Sequence, residues 1–446
     1  MTRSRAGGAI LAAPASGSGK TVLTLGLLRH CRNAGRAVAS AKAGPDYIDP
    51  AFHAAASGRG CPNLDPWAMR PATIASLVQD LSRGSEAILC EGVMGLFDGA
   101  GHENAGSTAD LAAMLGWPVV LVVDISRQGA SAAAVVRGFA GHRRDVTISG
   151  VILNRAASAR HAESVARAIA TVVPEAKIFG WVPRDADLVL PERHLGLVQA
   201  GEHGDLERFL NRAAQIVSGH LDVNALLRAA RPSDQSAGET AAPALHPPGR
   251  RIWVARDSAF AFCYPHVLEG WKRAGAHLDF FSPLADEAPG EAADAAYLPG
   301  GYPELHAARL AAAENFRAGT IAAVRRGASV YGECGGYMVL GRALIDKAGR
   351  RHAMLDLLPL ESSFAEPRLH LGYRRAVLAA DAPLGKAGAA LRGHEFHYAA
   401  VVDEGPGEAL FRLGDSDGRD LGPAGRIARH GRGVALGSFA HLIDRE

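Results

Sequence analysis

Ala9-Ile10-Leu11-Ala12-Ala13-Pro14-Ala15-Ser16-Gly17-Ser18-Gly19-Lys20-Thr21 runs from small and aliphatic residues into a Ser/Gly loop that ends on Lys-Thr. The apolar start predicts a strand over Ala9–Ala12, and Thr21–Asn33 carries a helical pattern. A strand, a loop of this composition and a helix make a phosphate cradle. Small side chains let successive backbone N–H groups curl around phosphate oxygens at the helix N-terminus. Ser16, Gly17, Ser18 and Gly19 form the curl, the Lys20 ammonium reaches the outer phosphates, and the Thr21 hydroxyl is placed to ligate Mg2+. Pro14 stands six residues before the lysine, where the strict pattern has glycine, so the loop is a variant. An ordinary Gly-Ser turn before a helix is the alternative.

Outward from this loop, continuous aliphatic runs predict strands at Val38–Ser40, Ala87–Cys90, Val119–Val123, Ile148–Leu153 and Ile178–Val182. Helical stretches such as Pro71–Leu81 and Arg160–Val172 lie between them. Strands apolar on both faces, alternating with helices, belong to a covered parallel sheet. From Arg231 to Arg250 the apolar period is lost and Pro, Ser, Gly and Ala dominate, as in a linker. The pattern restarts at Arg251–Ala255, Leu278–Phe281, Ala295–Leu298 and Ser329–Tyr331. The expected fold is α/β: a phosphate-loop parallel-sheet domain over 1–230, a linker over 231–250, and a second α/β domain over 251–446.

Composition excludes several classes of partner. Of 446 residues, 48% are hydrophobic and 21% charged, and the formal net charge is +2, so neither nucleic acid nor a membrane surface is expected. Met1–Arg5 is basic and Ala6–Ala13 small and apolar, which loosely mimics a secretory signal. A strand feeding the phosphate loop accounts for the same residues. Cys31, Cys61, Cys90, Cys263 and Cys334 are scattered and odd in number, which points to a reducing compartment, the cytoplasm. The expected assembly is a homodimer.

Mg2+ needs hard oxygen ligands. Asp46 lies in Lys42–Pro50, the loop after the second expected strand, and Glu91 closes the third. Both are candidate metal ligands; a capping aspartate and a plain strand end are the alternatives. Asn154 ends the fifth strand, where its amide could read an adenine edge or serve a turn.

A second chemistry resides in Ser329-Val330-Tyr331-Gly332-Glu333-Cys334-Gly335-Gly336-Tyr337. A strand runs into Gly-x-Cys-Gly-Gly and then into a helical stretch, Met338–Leu344, the layout of a nucleophile elbow. The helix dipole and nearby amides are expected to favour thiolate at Cys334; a buried core cysteine is the alternative, against which the flanking glycines weigh. His441, at the end of Gly437-Ser438-Phe439-Ala440, is the expected base. The amides of Gly301, in the turn after Tyr297-Leu298-Pro299-Gly300, and of Gly335 are the expected oxyanion hole. Gly393-His394-Glu395-Phe396-His397-Tyr398 has its histidines three apart in a strand-like context, so they face opposite sides and do not make a zincin.

Gly332–Gly336, Pro299–Glu304 and Ser438–His441 resemble a class I, triad-type glutamine amidotransferase domain, and Ala13–Thr21 with Lys42–Pro50 resembles the dethiobiotin-synthetase-like amidating domains. In this order, with Gly393–Tyr398 near the end, they resemble the cobyrinate and hydrogenobyrinate a,c-diamide synthases across essentially the whole chain. The resemblance implies that Cys334 attacks the carboxamide of glutamine and His441 shuttles the proton. It implies ATP and Mg2+ at Lys20, Thr21, Asp46 and Glu91, with Tyr47, Asp49 and His53 near a corrinoid substrate, hydrogenobyrinate or cobyrinate. Ala259–His266 looks more like the metal-free branch. Triad amidotransferases place Glu two residues after the histidine; here that position is Ile443, with Asp444 one later, so the dyad is what carries over. Another two-domain amidase, such as cobyric acid synthase, and a regulatory ATP-binding protein with an inactive thiol domain are the competing readings.

Overall fold

The computed structural model describes residues 6–188, 192–193, 196–197, 199–202, 204–234 and 242–446. The basic tip and the middle of the expected linker, 235–241, lie outside the described residues. The chain forms two compact units, Met1–Trp67 with Pro71–Ala241 and Ala68–Arg70 with Ala242–Glu446.

The first unit is built on β1 (Gly7–Ala12), β2 (Val38–Ala43), β3 (Asn63–Leu64), β4 (Ala87–Glu91), β5 (Val119–Asp124), β6 (Ile148–Ala156) and β7 (Lys177–Pro183), in the order β3-β2-β4-β1-β5-β6-β7. All pairings are parallel. The expected strands are all present, and most run further toward their carboxyl ends than the apolar pattern does. β2 continues through Lys42 because its whole length is buried, and the lysine finds charged partners there. Parallel register gathers the carboxyl ends of β1, β2 and β4 at one edge, where catalytic loops collect in open α/β sheets. That edge carries the phosphate loop, the Asp46 loop and Glu91. The start of the expected linker is tied down: Gly8 N–H donates to Arg231 O at 2.7 Å and Asp234 N–H to Leu115 O at 3.0 Å.

In the second unit a six-stranded sheet runs His277–Phe281, Arg251–Ala255, Ala295–Leu298, Ser329–Glu333, Gly433–Ser438, Arg426–His430. Only the last pairing is antiparallel. The helix after Cys334 spans Gly335–Leu340, not Met338–Leu344. It stops at Gly341, which is extended, and Ala343–Ile345 pairs as a strand instead. Beyond it lie two further sheets that the apolar runs do not announce. One joins Arg351–Ala353, Ala343–Ile345, Leu360–Ser363 and Ala400–Glu404; the other joins Asp420–Ala424, Phe411–Gly414, His370–Leu378, Ala390–His397 and His441–Arg445. Among the described residues no helix is long and apolar enough to cross a membrane.

Candidate active sites

In the first unit the loop Ala13–Gly19 connects β1 to the helix Lys20–Asn33. Lys20 Nζ donates to Met94 O at 2.6 Å, and Thr21 Oγ1 donates to Glu91 Oε1 at 2.6 Å. Glu91 is the hub. Its Oε1 also accepts from Lys42 Nζ at 2.9 Å, and its Oε2 lies 2.7 Å from His53 Nε2. Lys42 Nζ reaches Asp49 Oδ2 at 2.5 Å as well. Burial alone would raise the Glu91 carboxyl; the Lys42 ammonium and the His53 hydrogen bond hold it well below the usual carboxylate range. Burial would lower Lys42, yet Asp49 and Glu91 lift it well above its ordinary value. Burial, then Asp46, raise the Asp49 carboxyl to about 7 against the pull of Lys42, so Lys42 and Glu91 are the ionised pair at the centre of the network.

The donor set suits a magnesium–triphosphate. Two ammoniums, Lys20 and Lys42, stand beside the loop, and the Thr21 hydroxyl and Glu91 carboxylate supply paired hard oxygens. Over Gly17, at φ 77°, a Cβ would meet nothing within 4 Å, so the cradle opens to space. Ser18 Oγ closes the loop on Ala15 O at 2.9 Å. Asn154 Nδ2 donates to Ser18 O at 2.8 Å, so this amide shapes the loop from behind. It also lines, with Gly19, Ser126 and Val182–Ala186, a cavity of about 470 Å³.

Two of the expected residues, His53 and Asp49, take roles other than those nominated, and Asp46 commits one oxygen to a helix cap. His53 is fully buried and braces Glu91, with Cys61 Sγ 3.4 Å from its Nδ1. It stands behind the carboxylate and has no surface for a substrate. Asp49 is occupied by Lys42. Asp46 turns Oδ1 to the N–H groups of Ile48 and Asp49, at 2.8 and 3.2 Å, so that oxygen caps the start of the next helix. Tyr47 is buried beside it, 8% exposed. Lys42, which is outside the expected site residues, is central. A lone lysine inside the small apolar strand VASAKA is the signal that marks it.

In the second unit Cys334 sits at φ 48°, ψ −104°, a strained conformation for a residue with a side chain, between the strand Ser329–Glu333 and the helix at Gly335. This is the elbow the sequence predicts. Cys334 and His441 come together around Gly300. A Cβ there would stand 3.3 Å from Cys334 Cβ and 2.2 Å from His441 Cε1. A Cβ on Gly335 would stand 3.0 Å from Gly301 N, so the two expected oxyanion amides also converge. Cys334's own N–H is committed to Ser438 O at 2.8 Å.

The expected thiolate is not the resting state. Cys334 is 2% exposed, and its Sγ lies 4.0 Å from Phe396 O, an acceptor that favours the thiol. Burial pushes the thiol up, and a six-residue helix does not outweigh it. Burial, then His394 and His397, pull His441 down to about 3. Thiol and imidazole therefore rest as a neutral pair, and the proton moves when substrate is attacked.

Asp444 is unavailable to His441. Arg70, which clusters with this unit, grips both its oxygens, with Nη2 2.8 Å from Oδ1 and Nε 3.1 Å from Oδ2. The histidines of Gly393–Tyr398 do separate. His394 is the register partner of His441 and His397 of His370. His370, Glu395 and His397 bring ligand atoms within 4.8 Å of one another. However, the two imidazoles stack at 4.7 Å and 6°, and parallel ring planes do not aim their lone pairs at one point. His397 hydrogen-bonds Glu395 and Ala399 O, and Arg374 holds the other Glu395 oxygen.

Residues 251–446 match the model of the CobB/CobQ-like glutamine amidotransferase domain, and residues 9–198 that of the CobQ/CobB/MinD/ParA nucleotide binding domain. The chain is 55% identical over 440 residues to a hydrogenobyrinate a,c-diamide synthase of Brucella suis biovar 1 (strain 1330), covering 98% of each chain. It is 53% identical over 437 residues to the protein of that name from Rhizobium meliloti (strain 1021), covering 98% of this chain and 99% of the relative. To the one from Mesorhizobium japonicum it is 49% identical over 439 residues, covering 98% of each.

Proposed function

This chain belongs to the hydrogenobyrinate a,c-diamide synthase family, and from that premise we propose that it converts the a and c acetate carboxylates of hydrogenobyrinate to amides, using glutamine and ATP. Residues 1–230 are the synthetase part, 251–446 the glutaminase part, and 231–250 join them. Cys334 Sγ attacks the glutamine carboxamide carbon as His441 takes the thiol proton. The developing oxyanion is met by the amides of Gly301 and Gly335. His441 returns the proton to the departing nitrogen, which leaves as ammonia, and water then frees glutamate from the thioester. Ammonia serves because ammonium has no lone pair to attack with.

A carboxylate is a poor acyl donor, and transfer of a phosphoryl group from ATP to its oxygen makes a leaving group that ammonia displaces. The Ser16–Gly19 amides, Lys20 and Lys42 would bind the phosphates; Thr21 and Glu91, with the second oxygen of Asp46, would hold Mg2+, which would supply charge neutralisation there. His53 and Asp49 orient Glu91 and Lys42, and Tyr47 would lie near the substrate. The expected setting is a cytoplasmic homodimer.

The observation that carries this reading is the convergence of Cys334, His441, Gly301 and Gly335 around Gly300, in a chain that also holds the Thr21–Glu91–Lys42 cradle. The test is incubation with Mg-ATP, glutamine and either hydrogenobyrinate or cobyrinate, read by mass spectrometry. Two amides gained on hydrogenobyrinate support it. No amide on either corrinoid rejects it, and amidation of cobyrinate alone corrects the substrate.

A further inference from the structure

We propose that Glu333 is the positioning acid of the glutaminase, facing Nδ1 of His441 from the position immediately before the nucleophile. This rests on the reading of Cys334 and His441 as nucleophile and base. Triad enzymes draw this acid from two residues beyond the histidine. Here Ile443 is apolar and fully buried, and Asp444 is gripped by Arg70. Glu333 Oε2, arriving from the central sheet, stands 3.8 Å from His441 Nδ1.

The carboxylate is rigidly held. Tyr331 OH donates to Oε1 at 2.6 Å and Tyr297 OH to Oε2 at 2.7 Å. Leu442 N–H donates to Oε1 at 3.1 Å, so the same group pins the backbone next to His441. Among the described residues, His441 is its one ion-pair partner within 4 Å. A buried acid without a lysine or arginine is an expensive device if its purpose is structural alone. It is useful if a cation forms beside it during turnover. When the Cys334 proton passes to His441, the electron pair left on sulfur makes the S–C bond, and the imidazole becomes a cation 3.8 Å from the carboxylate. With Nδ1 facing Glu333, Nε2 is the nitrogen left for the thiol, the division of labour of a nucleophile–imidazole–acid relay.

The groups facing Glu333 set its charge. They are Tyr297 and Tyr331 on adjacent strands, Cys263 from the segment before the helix Pro265–Arg273, and His441. Burial raises Glu333 to about 7, with the three donors opposing it. Glutaminase activity therefore falls as pH drops through about 7. Removing one donor raises the carboxyl further and moves that limb to higher pH.

The test measures glutamate release from glutamine, and amidation driven by ammonium chloride, on wild type, Glu333→Gln, Glu333→Asp and Tyr331→Phe. The expected result for Glu333→Gln is a fall in glutaminase kcat of about 100-fold or more, with KM for glutamine nearly unchanged and ammonium-driven amidation retained. Glu333→Asp recovers part of the rate, and Tyr331→Phe shifts the acid limb of kcat/KM upward. Glu333→Gln with wild-type kcat and pH profile overturns the proposal. Should that variant fail to fold, an unmoved limb in Tyr331→Phe overturns it and a shifted one supports it. A wild type that releases no glutamate overturns the dyad reading, and the proposal with it.

Discussion

Lys42 and Glu91 are register partners on adjacent parallel strands, and their side chains meet at 2.9 Å across that register. Both are almost wholly buried. The pairing follows from topology. β4 lies between β2 and β1, so a lysine and a glutamate at matching positions of β2 and β4 meet beside the phosphate loop that β1 feeds. Thr21, the first residue after the loop lysine, joins the same carboxylate.

Lys42→Met leaves Glu91 and Asp49 buried without their ammonium. Breaking a buried ion pair from one side destabilises by about 3–5 kcal/mol. The expected outcome is an earlier unfolding transition in urea. Amidation is also lost with glutamine and with ammonium alike, because the activation step precedes the use of either nitrogen source. ADP release measured on the folded variant checks this, and a wild-type rate would show that Lys42 has no part in phosphoryl transfer.

Gly300→Ala is the sharpest probe of the thiol site. The added methyl would stand 2.2 Å from His441 Cε1 and 2.9 Å from Nε2, and the imidazole is fully buried with no room to yield cheaply. A displacement of about 1 Å in a catalytic group costs roughly 10²-fold. Glutamate release is expected to fall by that much, while ammonium-driven amidation persists. Equal loss of both activities would mean that the substitution unfolds the unit.

Labelling tests the neutral resting pair. A thiol raised by burial beside an imidazole lowered to about 3 reacts slowly at neutral pH. Iodoacetamide should modify Cys334 more slowly than free glutathione at pH 7.5, with a rate still climbing at pH 9. Peptide mapping by mass identifies the site. Fast labelling with a plateau below pH 7 would establish a thiolate–imidazolium pair instead.

Legibility differed between the two halves for a physical reason. Strands buried on both faces, such as VVLVVD, announce themselves as unbroken aliphatic runs. His370–Leu378, HLGYRRAVL, is mostly half-exposed and is interrupted by two adjacent arginines, and only its antiparallel neighbours make it a strand. The phosphate loop and the cysteine elbow were legible because each needs small residues at fixed places around one reactive side chain. The brace that His53 makes behind Glu91 is not legible, because burial depth has no signature in a short helix. Glu333 is not legible either, because a glutamate beside a nucleophile carries no distinguishing pattern in one dimension. Only the sheet register and the return of His441 from the chain's end put it against the imidazole.

His53 makes the stability of the first unit depend on pH. Burial would lower His53, but its contacts with Cys61 and Glu91 lift it to about 10, far above its ordinary value of 6.5. A group raised on folding contributes stability that is complete below its unfolded value and lost as pH climbs through its folded one. His53 should therefore stabilise the protein fully below about pH 6.5 and progressively less up to about pH 10. His53→Gln removes the cation from Glu91 and should lower stability at pH 6.5 by roughly 3 kcal/mol. Against wild type, the difference should shrink steadily as pH rises. Urea unfolding followed by far-UV circular dichroism at pH 6.5, 8 and 9.5 measures it. A difference that stays constant, or widens, across that series would mean that His53 is neutral in the folded protein and holds Glu91 by a hydrogen bond alone.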